Sequence, residues 1–206
     1  MRGLKKGGKG KRGSVTGTLP VGFRPSNTLI FQNNSYDTGA SGDGRLDINT
    51  NGDVVFKSGT NKWYGFDGVQ FVASDAGYVW NTLTPLNTWT QYGSPYSDVK
   101  ATKDNTGRVH VQGLAREGTV TNGTDIANLP ASYYPTYTMH FPTASSVLPN
   151  ASDVNTTGAI ESRGTAGTWR SLQFMYYPSS FSGWTNLTLQ NSWVDYNTAT
   201  YGPAQY

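Results

Sequence analysis

The apolar positions of the chain recur with a period of two rather than 3.6. In Arg108-Val109-His110-Val111-Gln112 the valines alternate with polar residues, the pattern of a half-buried strand. The stretch Leu46–Phe56 holds two alternating runs around Asn51-Gly52, and Asn-Gly favours a hairpin because both residues tolerate positive φ. Val69 and Phe71 alternate, as do Leu172, Phe174 and Tyr176. Gly and Pro interrupt the chain every ten or so residues, which leaves no room for a long helix. The pattern predicts an all-β protein of short antiparallel strands.

A repeat organises these strands. Leu19-Pro20, Phe23, Pro25 and Phe31 return 110 positions later as Leu129-Pro130, Tyr133, Pro135 and Phe141. Asp47, Gly52 and Trp63 return as Asp153, Gly158 and Trp169, the offset having shrunk to 106. Trp80-x-x-Leu83 and Trp89-x-x-Tyr92 return as Trp184-x-x-Leu187 and Trp193-x-x-Tyr196, at an offset of 104. We therefore expect antiparallel β-sandwich, jelly-roll-like modules in tandem, about 104 residues each. Residues 1–79 read as the later part of a first module, 80–183 as a complete module and 184–206 as the opening strands of a further one. A chain cut within a module at both ends suggests a fragment of a longer polypeptide, or modules completed by a neighbouring chain. The recurring Trp80, Trp89, Trp63, Trp169, Phe31 and Phe141 are expected to fill the cores.

Composition narrows the class. Of 206 residues only 14% are charged, and there is no cysteine, so neither a disulfide framework nor a Cys-based zinc site is available. The apolar stretches are a few residues long and no signal peptide is visible, so no membrane insertion is expected. Six of the 16 Lys and Arg residues lie in the first twelve positions; the other 194 residues carry a net charge of −3. That basic run invites a nucleic-acid reading. The repeat argues otherwise: Arg2-Gly3-Leu4 takes the place of a module strand, and Lys5–Arg12 that of the loop Ala115–Asn122. We read it as a charged loop with no nucleic-acid partner.

Catalytic chemistry is poorly supported. Asp47, Asn49, Asn51 and Gly52 match the start of a calcium loop, but the twelfth position is Ser58 where a carboxylate is required, so a hairpin is the better reading. His110 shares a face with Arg108 and Gln112 and is expected to be solvated; His140 stands where the first module has Ile30. No Ser-His-Asp order, zinc-protease motif or phosphate loop appears, and no carboxylate pair is singled out for glycoside hydrolysis. No catalytic residue, metal or cofactor is assigned.

The order of motifs carries a resemblance. Trp-x-x-Leu and Trp-x-x-Tyr are followed by Lys103-Asp104, Gly107, Val109, Val111 and Gly113-Leu114, then a Gly-Thr-rich loop, Leu129-Pro130, Tyr133, Pro135, and a Trp169-x-x-Leu172-x-Phe174 strand. This resembles the modules of tailed-bacteriophage tail fibres, minor tail proteins and head fibres. In that group Leu-Pro is usually followed by Gly-Tyr-Arg-Pro. Val21-Gly22-Phe23-Arg24-Pro25 is close, and Ala131-Ser132-Tyr133-Tyr134-Pro135 departs from it. The resemblance implies a virion surface protein, commonly trimeric, that displays β-domains to the host. We expect a fibre or appendage whose partners are other virion proteins and a host-surface glycan; the alternative is a purely structural capsid or tail decoration. A depolymerase or a DNA binder would be less expected. Candidate glycan contacts are aromatics and polar loop residues that do not recur: Tyr64, Asn122, Tyr134, Tyr176 and Tyr177.

Overall fold

A computed structural model describes residues 1, 4–6, 11–37, 40–60, 62–66, 68–74, 76–119, 121–146, 150–164 and 167–178. Residues 184–206, including Trp184 and Trp193, lie outside the described residues, as do 7–10 of the basic run.

The described chain is all-β, with one turn of 3-10 helix at Ala131–Tyr133. The first sheet holds β1 (Leu4–Lys6), β2 (Val15–Thr18), β3 (Leu29–Asp37), β4 (Ala40–Ile48), β5 (Asp53–Ser58) and β6 (Trp63–Gly65), in the order β1-β6-β3-β4-β5-β2. The second holds β7 (Asn81–Thr82), β8 (Thr90–Gln91), β9 (Lys100–Lys103), β10 (Val109–Arg116) and β15 (Trp169–Tyr176). Its order is β15-β10-β9-β7, and β8 pairs with β10. The third holds β11 (Asp125–Asn128), β12 (Met139–Pro142), β13 (Asn150–Val154) and β14 (Ala159–Gly164), in the order β11-β14-β13-β12. Every strand pair is antiparallel.

Three hairpins share one turn. In each an Asn or Asp N–H bonds the carbonyl four residues on, a glycine N–H bonds back to that Asn or Asp, and the glycine takes positive φ: Asn49–Gly52, Asp104–Gly107 and Asn155–Gly158. The Asp47 carboxylate faces Arg45 and Lys57, so the calcium-like sequence builds the β4–β5 hairpin. Val69 and Phe71 are not in a strand; Val69 N–H closes a turn onto Phe66 O, and β6 has only Leu4–Lys6 of β1 to pair with at that edge.

The second and third sheets enclose one core: Val109, Val111, Leu172 and Phe174 from one side meet Ile126, Phe141, Val154 and Ile160 from the other. The Phe141 and Phe174 rings stack at 4.4 Å. The first sheet has its own core of Leu29, Phe31, Leu46, Ile48, Phe56 and Tyr64. A small cluster of Ile30, Leu114 and Ala144, flanked by Tyr92, Tyr96 and Trp169, joins the two. There Ser171 Oγ donates to Ile30 O at 2.7 Å and the Arg45 guanidinium lies 5.0 Å over the Trp169 ring. Of the recurring aromatics, Trp89, Phe31 and Phe141 are buried, whereas Trp63, Trp80 and Trp169 are half-buried.

Registers correspond across the two bodies. Val15, Gly17 and Thr18 of β2 face Val55, Val54 and Asp53, with an irregularity between Val15 and Gly17. Asp125, Ala127 and Asn128 of β11 face Glu161, Ile160 and Ala159, with an irregularity between Asp125 and Ala127. Leu29, Ile30 and Phe31 face Ile48, Asp47 and Leu46; Met139, His140 and Phe141 face Val154, Asp153 and Ser152. Leu4 and Lys5 face Gly65 and Tyr64; Leu114 and Ala115 face Ser171 and Arg170.

Candidate functional site

The second body holds aromatic rings against cations at three places around β9 and β10. β9 places Lys100 and Lys103, the turn after it places Asp104 and Arg108, and the 3-10 turn after Pro130 places Tyr133. Lys100 Nζ lies 5.1 Å from the centroid of Trp80, Lys103 Nζ 5.3 Å from Tyr133, and the Arg108 guanidinium 5.0 Å from Tyr177. Polar contacts fix the individual pairs. Asn81 Nδ2 donates to the Tyr133 hydroxyl at 2.8 Å, and Lys103 Nζ to Ser132 O. Arg108 Nη2 donates to the Tyr177 hydroxyl at 2.9 Å, and Thr136 Oγ1 to Pro178 O at 3.0 Å. The bond from Arg108, and a second from Thr106, hold the Tyr177 phenol below its usual pKa. Burial lowers that of Lys100. Tyr137, beside Thr136 in sequence, is 73% exposed. A half-open ring held by a cation is a rigid apolar platform with polar groups at its rim.

Asp104 sits in the turn between β9 and β10. Its Oδ1 accepts from the N–H groups of Thr106 and Arg108, and its Oδ2 meets His110 Nε2 at 2.8 Å. Burial pushes this carboxyl up, but those hydrogen bonds outweigh burial and hold it at about 2. His110 is therefore not the solvated residue expected. β10 is covered on both faces, and His110 is 8% exposed. His140 meets Asp153 instead. Arg163 bridges that aspartate to Glu161, and Asn155 Nδ2 donates to Glu161 at 2.7 Å.

The five contacts expected from sequence separate. Tyr134 and Tyr177 reach the surface. Tyr134 packs against Gly158, where an added Cβ would lie 2.1 Å from the ring. In the first body Arg24 does the same over Gly52, its Nε donating to Leu19 O at 3.0 Å. A guanidinium at Arg24 and an aromatic ring at Tyr134 thus each cover a hairpin glycine. Asn122 is exposed, but it accepts from Gly164 N–H, at the end of β14 opposite Gly158 and Tyr134. Tyr64 and Tyr176 are corrected outright. Both are core residues, 5% exposed. The Tyr64 hydroxyl is shared between Arg45 O and Ser58 O, and that of Tyr176 donates to Tyr133 O.

Sequence reasoning missed Trp80, Tyr133, Lys100, Lys103 and Arg108. Trp80 and Tyr133 recur, and recurrence reads as core. The available signal was the sequence neighbourhood: Lys100, Lys103 and Arg108 hold three of the ten basic residues outside the first twelve. No protein-family model matches the chain, and no curated protein matches it.

Proposed function

We propose that this chain is a fibre or appendage protein of a tailed-bacteriophage virion, whose β-sandwich modules, repeated in tandem, attach to a host-surface glycan. The observation that carries the reading is the set of cation-held rings on the second body, Trp80 with Lys100, Tyr133 with Lys103 and Tyr177 with Arg108, together with the exposed Tyr134. Sugar rings stack on such platforms through their C–H faces, and the surrounding Asn81, Lys103 and Arg108 supply hydrogen bonds to hydroxyls or acidic substituents. A shallow face of this kind binds weakly per site, and display in many copies, trimers included, raises the avidity. The tandem reading is supported by the paired registers above, including the irregularity in the same place in β2 and β11. Binding is tested by a glycan array probed with the purified chain and with Tyr177→Ala. A signal lost in the variant supports the reading, and equal signals from both contradict it.

A structural decoration is the second reading. It is favoured by exposed Val15, Val21 and Phe23 around β2, an apolar surface suited to protein contact. Imaging of the virion separates the two, since a decoration lies flat on other virion proteins and an attachment module projects.

A further inference from the structure

The two bodies differ at one edge. In the second, the segment Leu83–Trp89 lies along the outer edge of β11. Pro85 bridges to Ala127, Leu86 N–H donates to Ile126 O at 2.8 Å, and Asn87 Nδ2 donates to Asp125 O at 2.9 Å. Leu83 and Trp89 drop into the core beneath it, at 4% and 3% exposure. In the first body β2 stands where β11 stands, and among the described residues no segment pairs with its outer edge. Thr16 O, in the place of Ile126 O, meets the Lys5 ammonium at 3.2 Å. The consequence shows in burial: Ile126, Ala127 and Leu129 are buried, while Thr16 and Leu19 are half-buried and Gly17 is exposed.

A free edge flanked by exposed apolar side chains is a template for an added strand. The sequence contains a segment whose residues match. Leu83-Thr84-Pro85-Leu86-Asn87-Thr88-Trp89 has its match in Leu187-Thr188-Leu189-Gln190-Asn191-Ser192-Trp193. It keeps the two core anchors, the edge-capping Asn and the spacing between them. Between Phe71 and Leu83 the chain makes the step from the first body to the second; the stretch from Tyr177 to Leu187 is two residues shorter. If that linker steps as Phe71–Leu83 does, it would carry residues 187–193 onward to a body placed as the second is placed relative to the first, and not back onto β2 of the same chain.

We propose that residues 187–193 dock along the β2 edge of a second copy of this chain, with Leu187 and Trp193 as anchors, and so join copies head to tail. The contact is heterologous, so it extends into rings or open filaments rather than closing as a two-fold dimer. The inference rests on the module correspondence proposed above and is independent of what the modules bind.

The chain has no cysteine, which makes a cross-link unambiguous. By analogy with Pro85 and Ala127, Leu189 should face Gly17, where an added Cβ meets nothing within 4 Å. Chains carrying Gly17→Cys are mixed with chains carrying Leu189→Cys, oxidised, and analysed by mass. The expected product is the mixed disulfide dimer. Adding Trp193→Ala to the Leu189→Cys chain should cut its yield about tenfold, as loss of a buried Trp anchor does. Absence of the mixed dimer overturns the proposal. So does a doubly substituted chain that cross-links only within itself, because the docking is then internal. A positive cross-link with a blank glycan array leaves the docking standing and removes the attachment reading alone.

Discussion

At the scale of single residues, Tyr64 and Arg170 do the same work with different chemistry. Arg170 Nη1 donates to Ala151 O at 2.8 Å and to Arg163 O at 3.0 Å, much as the Tyr64 hydroxyl serves Arg45 O and Ser58 O. Arg170 is 1% exposed with no carboxylate partner among the described residues, and burial lowers its pKa to about 10. A buried cation without a counter-ion is costly. Arg170→Tyr is therefore expected to raise stability, by about 1–2 kcal/mol in urea unfolding. Tyr64→Phe removes the hydroxyl that serves both carbonyls and is expected to lose about 0.5–1.5 kcal/mol. Asp104 sets a pH dependence. Its folded pKa lies near 2, below the ordinary 3.8, so its contribution is complete above about pH 4 and is lost as the pH falls towards 2. Thermal melts of Asp104→Asn across that window should show a shallower slope than the native chain.

At the scale of the elements, the hairpin glycines are the most sensitive positions. Gly52 and Gly158 take φ of 91° and 82°. Added Cβ atoms there would come within 2.6 Å of Leu19 O and 2.1 Å of the Tyr134 ring. Either change to Ala is expected to cost about 1–3 kcal/mol in denaturant unfolding. The alternation that marks these hairpins was legible in the sequence, because it follows from one face of each strand being buried. The side on which an aromatic falls was not. Tyr64 does not recur, which points to the surface, yet it is buried, as is Arg170 at the matching offset, and both bond backbone carbonyls. Trp80 recurs, which points to the core, yet it is half-buried and packs against Lys100. Recurrence of a residue type reports a shared position, not its depth. His110 misled for a related reason: period-two alternation predicts one wet face, and β10 has none.

At the scale of the molecule, the contact between the bodies is small and mixed. Ile30, 2% exposed, sits against Leu114 and Ala144, with Thr28 N–H bonded to Pro95 O at 3.0 Å nearby. Ile30→Asp buries a charge there and is expected to split a single thermal transition into two, as calorimetry would show. The cation-held rings Trp80, Tyr133 and Tyr177 all lie on the second body, so binding there should survive that change. The central claim is that these rings hold a host-surface glycan. The most direct measurement is a glycan array with native chain, Trp80→Ala and Tyr177→Ala, each first shown by thermal melting to remain folded. The account predicts a signal from the native chain that falls at least about tenfold in both variants. A native chain without signal, presented both alone and on the assembled particle, would contradict it.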